Sequence, residues 1–371
     1  MKNGEVVAAF EREFAAFVGA KYAIALCNGT ATLHTALVAL GVKPGDRVAV
    51  PPLTMSATTI AALHAGAVPV FRDVDPRTWL MRNQPDDMNC MPVDLYGLYA
   101  PAGSFGYRDG KWRNWVYDSA QTLRCSTEYG GKLVRSFVSY SFQASKILAL
   151  GEGGMLVTDD EALATRAREF SSLGYRMRAD QPRIDPAVLK SPTYERHHSL
   201  GWNYRMNDAT AALGLLHLTD QINDVASCDQ LLSRRREAAD MYRKAITDCT
   251  WVTPQFVPEG WTHDYWAFAV SCDTPARALQ LADSVVVHGG ERPYGAWRLT
   301  YDEPAFTHLL PREEFHDARI LNGRKGILTR RPHCPVAESL QPRLLQFQTN
   351  NLVAAAANAS ALRAAIAELS A

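Results

Sequence analysis

The chain has 371 residues, of which 47% are hydrophobic and 21% charged, and its 39 basic and 39 acidic side chains give a net charge of zero. This length allows two domains or one large one, and the neutral balance argues against a nucleic-acid partner. Seven scattered cysteines indicate reduced thiols in the cytoplasm and argue against a zinc site, and no apolar run approaches the ~20 residues that span a bilayer.

The first half of the chain alternates predicted helices and strands. Phe10, Phe14 and Phe17 recur at helical spacing within residues 4–18, which predicts a helix whose aromatic stripe lies in the core or in a subunit contact. Further elements are a strand at 22–26 with a helix after it, a strand at 47–51, a helix at 54–65 and a strand at 68–74. Such alternation implies an α/β fold with a mainly parallel sheet.

Asn28, Gly29 and Thr30 stand between the first strand and the helix that follows it. This order is typical of a phosphate cradle, because the helix N-terminus offers free backbone N–H groups and the Thr30 hydroxyl adds a donor. An ordinary helix N-cap explains the same three residues.

Asp118 ends an apolar run, Trp115 to Tyr117, that predicts a buried strand. A carboxylate at the carboxyl end of a parallel strand faces the crevice where such sheets bind ligands. Asp118 could therefore pair with the ring nitrogen of a pyridine cofactor, or it could simply cap the next turn.

Lys146 lies in a turn between two predicted strands, 137–140 and 155–158. Burial disfavours the ammonium form, so its amine can be free to attack a carbonyl. With Ser141 as a phosphate ligand, Lys146 could hold pyridoxal 5'-phosphate as a Schiff base. A Ser and a Lys at this spacing are also common without any such role.

The pattern changes in the last third of the chain, so we predict a large α/β domain at 1–225 and a smaller α+β domain at 226–371. Asp208 is the predicted cap of a helix at 209–218, and Arg234 to Arg236 are predicted to lie on a solvated face of a helix at 228–246. Two short strands are expected at 267–271 and 284–287. Two polar clusters, 263–266 and 330–333, could reach a substrate anion or lie at the surface.

Taken together, these motifs resemble the DegT/DnrJ/EryC1/StrS family of pyridoxal-phosphate-dependent aminotransferases. The resemblance covers about residues 5–220 and rests on the order and spacing of its motifs. They are Asn28-Gly29-Thr30, Gly45-Asp46-Arg47-Val48 with Pro51 and Thr54, Pro69-Val70-Phe71, Asp118-Ser119-Ala120-Gln121, Ser141-Phe142 with Lys146, Gly151-Glu152-Gly153-Gly154 and Gly201-Trp202-Asn203-Tyr204-Arg205-Met206. It implies an aspartate-aminotransferase-like fold, fold type I, with a smaller C-terminal domain.

The resemblance also implies roles for individual residues. Lys146 would carry the cofactor and later move a proton, and Asp118 would hold the pyridine nitrogen. Gln121 would contact the phenolic oxygen of the cofactor, and Asn203 would reach the phosphate site of the neighbouring subunit in a homodimer with shared active sites. The remaining cofactor-binding residues would be Asn28, Gly29, Thr30, Met55 and Ser141, with no metal.

Some positions depart from the family pattern. The family usually has Trp or Phe where Met55 stands, and often His where Gln143 stands. The last third also lacks the family's usual His-Tyr-Pro and Leu-Pro-Leu-His-Pro segments. Because that part of the chain helps to select the substrate, the resemblance does not fix the substrate.

The resemblance implies transfer of an amino group from glutamate or glutamine to a keto-sugar, a cyclitol or a related small molecule, in a cytoplasmic biosynthetic enzyme. Decarboxylation of an amino-acid-like substrate on the same scaffold is the alternative. A non-catalytic protein that binds the cofactor is the third possibility.

Overall fold

A computed structural model of the chain describes residues 4–82, 88–99, 107–108, 111–112, 115–123, 136–180, 184, 186–219, 225–307 and 331–371. Its helices are α1 (Glu5–Val18), α2 (Gly29–Ala39), α3 (Ala57–His64), α4 (Glu161–Ser171), α5 (Pro186–Leu189), α6 (Asp208–Thr219), α7 (Cys228–Ala245), α8 (Pro275–Val287), α9 (Pro304–Thr307), α10 (Pro335–Leu340) and α11 (Leu352–Ser370). Short 3-10 helices are Leu95–Gly97, Thr300–Asp302 and Gln341–Arg343.

The strands in the described residues fall into a first set before residue 160 and a second set after residue 250. The first set is β1 (Tyr22–Leu26), β2 (Arg47–Val50), β3 (Val68–Phe71), β4 (Asn89–Cys90), β5 (Leu98–Tyr99), β6 (Tyr107–Arg108), β7 (Lys111–Trp112), β8 (Val116–Asp118), β9 (Phe137–Ser141) and β10 (Gly154–Thr158). The second set is β11 (Val252–Pro254), β12 (Thr262–His263), β13 (Ala267–Cys272), β14 (Tyr294–Gly295) and β15 (Leu344–Gln348).

The large sheet has the order β3-β2-β4-β8-β9-β10-β1. Parallel pairing joins β3, β2 and β4, and β8 to β9, while a parallel bridge between Cys90 and Trp115 links the two groups. Only β10 runs against its neighbours among these described strands, since it pairs antiparallel with both β9 and β1. The predicted α/β fold with a mainly parallel sheet is confirmed.

Two hydrophobic cores cover the two faces of this sheet. In β1, Ala23 and Ala25 belong to one core, and Ile24 and Leu26 belong to the other, as the alternation of a strand requires. Helix α1 covers the first face, where its fully buried Phe14 lies 5.1 Å from the ring of Tyr140. The predicted aromatic stripe of α1 is thus part of the core.

The C-terminal part builds a second, antiparallel sheet with the order β11-β13-β15-β14. Helices α7, α8 and α11 share one core with it. The strand predicted at 284–287 is wrong, because these residues end α8. That helix begins after Thr274, whose hydroxyl caps Arg277 N, and it buries Leu281 and Val285 at helical spacing. The division of the chain after residue 225 stays a prediction.

Three further expectations need correction. Helix α6 is capped by the side chain of Asn207, which accepts from Thr210 N at 2.8 Å, while Asp208 accepts instead from Gly4 N at 3.1 Å. The triplet predicted on a solvated face contains Arg235, which is only 5% exposed. The expectation that no apolar run approaches a bilayer-spanning length does not hold for α11, which is long and apolar enough by composition to cross a bilayer. Its face with Leu362 lies in the C-terminal core.

Candidate active site

A cavity of about 930 Å³ lies where the two parts of the chain meet. Eight of the nine predicted site residues line it: Asn28, Gly29, Thr30, Met55, Asp118, Gln121, Ser141 and Lys146. The exception is Asn203, which is exposed and pairs through its backbone with Ser172. Residues far apart in sequence therefore converge on one cavity, and their roles in a site stay predictions.

The phosphate cradle is built from the N-terminus of α2 and the end of β9. The Asn28 side chain accepts from Ala31 N at 2.8 Å, which leaves the first N–H groups of the helix, those of Gly29 and Thr30, without an intrahelical partner. A Cβ on Gly29 would lie 2.8 Å from Ser141 Cβ, so only glycine allows this approach. Asn28 can therefore be an N-cap and part of a phosphate cradle at once, because the cap itself shapes the cradle.

Asp118 is a buried carboxylate, 6% exposed, at the end of β8. Thr58 on α3 donates to its Oδ2 at 2.7 Å, and Ala120 N donates to its Oδ1 at 3.2 Å. Burial raises the pKa of Asp118, whereas the Thr58 hydrogen bond and the charge of Lys146 act in the opposite direction. A buried acid of this kind is suited to hold a cationic N–H group.

Gln121 and Met55 occupy other parts of the wall. The Gln121 side-chain oxygen accepts from Tyr96 N, which fixes the buried amide in place. Met55 is 47% exposed, and its sulfur accepts from Ala57 N at the start of α3. Met55 offers a flexible thioether where the family usually has an aromatic ring.

Lys146 lies in the turn after β9, and this turn is held by its own side chains. The Gln143 side-chain oxygen accepts from Ser145 N at 2.9 Å and from Ser145 Oγ at 2.6 Å. On the other side, a Cβ on Gly154 would lie 2.7 Å from the Asn28 carbonyl, so the glycine turn lets β10 approach the cradle. Burial lowers the pKa of Lys146, and Asp118 partly offsets this change.

Trp266 also belongs to this site, although the sequence analysis named it only as part of the polar cluster 263–266. Its indole Nε1 donates to Ser145 O at 2.7 Å, and its ring centroid lies 5.1 Å from Lys146 Nζ. Trp297 stacks on Trp266 at 5.8 Å between ring centroids. The signal available in the sequence was the aromatic pair at 265–266, but nothing in it indicates contact with residue 145.

Arg235 also lines the cavity from α7, and it too was missed. Its Nη1 donates to Trp266 O and to Thr349 Oγ1, both at 3.0 Å, and burial lowers its pKa to about 10. It ties α7 to the strands β13 and β15. A cationic side chain in an arginine triplet is usually solvated, which is why the sequence misled here.

Of the described residues in the two polar clusters, only Trp266 lines the active-site cavity. His263 is buried, accepts from Tyr265 N through Nδ1, and donates through Nε2 to Gln255. Asp264 is buried and accepts from Thr122 Oγ1 at 2.6 Å. Arg331 lies at the surface against Asp302, while residue 330 falls outside the described residues.

The fold and this cavity define a pyridoxal-phosphate enzyme of the aspartate-aminotransferase type. The sequence profile of the DegT/DnrJ/EryC1/StrS aminotransferase family matches residues 1–344. The chain belongs to this family, and it is a PLP-dependent aminotransferase of fold type I.

Known proteins are similar to this chain over most of its length. A GDP-perosamine synthase of Escherichia coli O157:H7 is 32% identical over 293 residues, which are 75% of this chain and 73% of that protein. The putative pyridoxal phosphate-dependent aminotransferase EpsN of Bacillus subtilis (strain 168) is 30% identical over 327 residues, 83% of this chain and 77% of that protein. The crystal structure of 3-amino-5-hydroxybenzoic acid synthase superposes with a TM-score of 0.74 at 25% identity and covers 98% of this chain and 91% of that one.

The residues of the cavity fit the cofactor. The open helix N-terminus beside Ser141 suits a phosphate, the buried Asp118 suits a protonated ring nitrogen, and the buried Lys146 suits an aldehyde. Bound pyridoxal 5'-phosphate supplies an aldehyde that accepts an amino group and a ring that withdraws electrons from the reacting carbon. Within the chain, Thr58 and Ala120 orient Asp118, while Gln143 and Trp266 orient the turn that carries Lys146.

Proposed function

We propose that this enzyme moves an amino group from an amino acid, glutamate or glutamine, to a keto-sugar, a cyclitol or a related small molecule. The names of a GDP-perosamine synthase and of a 3-amino-5-hydroxybenzoic acid synthase among its relatives support an amino product on a ring. The observation that carries the proposal is the side of the cavity formed by residues 266–267, 294–297 and 346–350, which we call the second wall. It faces Lys146 with aromatic and polar side chains, including Trp266, Trp297, Gln346 and Thr349.

The first wall, which comes from residues before 150, carries Lys146 and Asp118, and the second wall lies opposite it. The cavity volume of about 930 Å³ lies at the upper end of ordinary ligand sites, which leaves room for a ring-sized substrate beside the cofactor. Lys146 Nζ, whose neutral free-amine form is favoured by burial, is placed to take a proton from the substrate carbon and to return one. The flat face of Trp266 lies against this amine and limits how water reaches it.

A half-reaction screen tests the proposal. The purified holoenzyme is mixed with glutamate, glutamine and other amino acids, and conversion of the cofactor to its amine form is followed by absorbance. We expect conversion with glutamate or glutamine, and its reversal on addition of a keto-sugar or keto-cyclitol. Release of carbon dioxide without conversion by any donor would contradict amino transfer and favour decarboxylation.

We also propose a homodimer in which Asn203 of one subunit completes the site of its neighbour. Asn203 does not line the cavity of its own chain, and the side chains beside it, Leu200 and Trp202, are 97% and 55% exposed. Large apolar side chains exposed in this way indicate a covered surface in the assembly.

Subunit complementation tests this arrangement. A Lys146→Ala chain and an Asn203→Ala chain are inactive or weak alone, but a mixed dimer would contain one site with both residues intact. We expect refolded mixtures to regain activity, up to half of the wild-type value per mixed dimer. If Asn203 served its own subunit, no site in the mixture would be intact, and activity would not return.

A cytoplasmic, biosynthetic setting is part of the same proposal. The six described cysteines are free thiols, in agreement with a reducing compartment. Fractionation of the source cells tests it: we expect the protein in the soluble cytoplasmic fraction, and recovery with membranes would contradict this location.

A further inference from the structure

A second cavity, of about 770 Å³, lies beside the active site. The two cavities adjoin along β13 and the residues before it. Trp266 and Ala267 line the active-site cavity, whereas Tyr265 and Phe268 line the second one. The volume of the second cavity falls within the range of small-molecule sites. No role in amino transfer accounts for it.

Three arginines line this cavity: Arg77, Arg243 and Arg343. No Asp or Glu is among its described lining residues. Asp240 pairs with Arg243 and offsets one charge, but neither Arg77 nor Arg343 forms an ion pair with any described residue. Two uncompensated guanidinium groups therefore face one cavity, which favours an anion.

The arginines are held in place by neighbours that leave their charge intact. The Arg77 guanidinium carbon lies 3.6 Å from the ring centroid of Phe256. Arg343 donates to Ser339 O at 2.7 Å and to Cys272 O at 3.4 Å. Such ordering lowers the entropy that ligand binding must overcome, because the forks already have fixed positions.

The floor of the cavity adds flat apolar surface without adding charge. Trp79 and His263 are buried, and Tyr265 stacks on the His263 ring at 3.9 Å. Burial and the charge of Arg243 lower the pKa of His263 to about 3, so this ring stays neutral. Trp79 and Tyr265 both hold left-handed backbone angles, φ 60° and 49°, a strain that proteins retain mostly at functional sites.

We propose that this second cavity binds a small phosphorylated molecule that carries a flat ring, and that its occupancy is transmitted to Lys146 through Tyr265 and Trp266. No acceptor among the described residues engages the Arg77 guanidinium, so it can donate two N–H groups to a phosphate, while Arg343 adds a positive charge. Phe256 and Tyr265 supply faces for a ring. The effect of a ligand can pass from the second cavity to Lys146 because neighbouring residues, Tyr265 and Trp266, line the two cavities. The Tyr265 hydroxyl accepts from Arg243 at 2.5 Å, and the next residue, Trp266, donates to Ser145 O beside the lysine.

Calorimetric titration with phenyl phosphate tests the site, because this probe joins a phosphate to a flat ring. The holoenzyme is used after borohydride has fixed its cofactor, so that the phosphate cradle of the active site is filled. We expect one phenyl phosphate per chain to bind, with phenol and inorganic phosphate binding at least tenfold more weakly. Arg77→Gln and Arg343→Gln are each expected to weaken binding about tenfold.

Arg277→Gln is the matched control. Arg277 also lies over an aromatic ring, 5.1 Å from the centroid of Trp251, and it pairs with Asp273, but it does not line the cavity. We expect wild-type affinity for this variant, and an unchanged melting temperature confirms folding in all three. No binding by the wild type, or equal losses in the control and in the cavity variants, would overturn the site.

The transmission is measured at Lys146 itself, without knowledge of the amino donor. The rate at which borohydride reduces the cofactor of the untreated holoenzyme is followed by loss of visible absorbance, with and without saturating phenyl phosphate. We expect at least a threefold change in this rate for the wild type and none in the Arg77→Gln/Arg343→Gln double variant. Binding that leaves the wild-type rate unchanged would overturn the transmission.

Discussion

The two walls of the active-site cavity differ in how they are built. The first wall comes from residues before 150 and includes strand ends and turns of the large sheet, such as Asp118 at the end of β8 and Lys146 in the turn after β9. The second wall comes from residues 266–267, 294–297 and 346–350, which antiparallel pairing of β13, β15 and β14 brings together. The first carries groups that titrate, and the second carries mainly aromatic and amide groups.

This difference suggests that the first wall fixes the chemistry and the second wall fixes the substrate and the position of the lysine turn. A change in the first wall should therefore lower the rate with every substrate. A change in the second wall should have smaller effects on the rate and larger effects on discrimination between acceptors.

The largest effect is expected for Lys146→Ala. Removal of the amine that moves the proton should slow amino transfer about 10²–10⁴-fold, the range for loss of a general base. Single-turnover absorbance with a saturating donor measures this rate. Lys43→Ala, which removes an exposed lysine of a surface turn, serves as the control and should keep the wild-type rate. A Lys146→Ala enzyme of wild-type activity would contradict the role of the first wall.

Asp118→Asn should have the next largest effect. The amide oxygen can still accept from Ala120 N, and the Thr58 hydroxyl can accept from the amide nitrogen, so both local contacts are kept, but the buried charge that holds a cationic ring nitrogen is lost. We expect a rate about 10²–10³-fold lower, as for other losses of a preorganised electrostatic partner. The same single-turnover assay applies, and a loss of less than threefold would show that Asp118 does not face the cofactor.

Gly29→Ala tests the cradle. The added Cβ would lie 2.8 Å from Ser141 Cβ, which is too close for two carbon atoms, so the strand or the helix must shift. We expect cofactor affinity to fall about tenfold, equivalent to ~1.4 kcal/mol of overpacking. Equilibrium titration of apo-protein with cofactor measures it. Gly295→Ala in the opposite wall, where a Cβ meets nothing within 4 Å, should bind the cofactor normally.

Trp266→Phe tests how the second wall supports the first. Phenylalanine keeps an aromatic face near Lys146 but loses the hydrogen bond from Nε1 to Ser145 O. We expect the rate constant to fall about three- to tenfold, since one such bond is worth about 0.5–1.5 kcal/mol. Trp297→Phe keeps the stacking and alters no hydrogen bond of the lysine turn, so its effect on this rate should be smaller. Equal effects would contradict the positioning role.

The smallest predicted effect is a shift in pH dependence. Burial lowers the pKa of Lys146 in the apo-protein, so its neutral, reactive form appears at a lower pH than for an exposed lysine. The rate of cofactor uptake should therefore reach its plateau below the usual lysine range. Because the Asp118 charge raises this pKa, Asp118→Asn should move the midpoint further down. A midpoint at or above the usual lysine value would contradict burial of the amine.

The residues that the sequence singled out lie in the first wall, and those of the second wall were mostly missed, for a physical reason. Asn28, Asp118 and Lys146 each lie at or shortly after the carboxyl end of a strand, and the carboxyl ends of parallel strands meet at one edge of the sheet. Trp266 and Trp297 meet only through antiparallel register, Ala267 opposite Gln348 and Tyr294 opposite Gln346, which single-chain patterns do not reveal.

Local patterns also misled in two places. The three valines within 284–287 favour a strand by composition, but Leu281 and Val285 lie four apart and face the core as a helix requires. Arg235 was assigned to solvent with its neighbours, but position 235 lies on the buried face of α7 with Leu232 and Ala239. In both cases tertiary burial, which the sequence does not show directly, overrode the local preference.

The most direct test is to find where the cofactor is attached. The holoenzyme is reduced with borohydride and digested, and the peptide that carries the cofactor mass is sequenced by mass spectrometry. The account predicts a single labelled peptide with the cofactor on Lys146, and none in Lys146→Ala. A label on any other lysine, or a stable label in the Lys146→Ala protein, would contradict it.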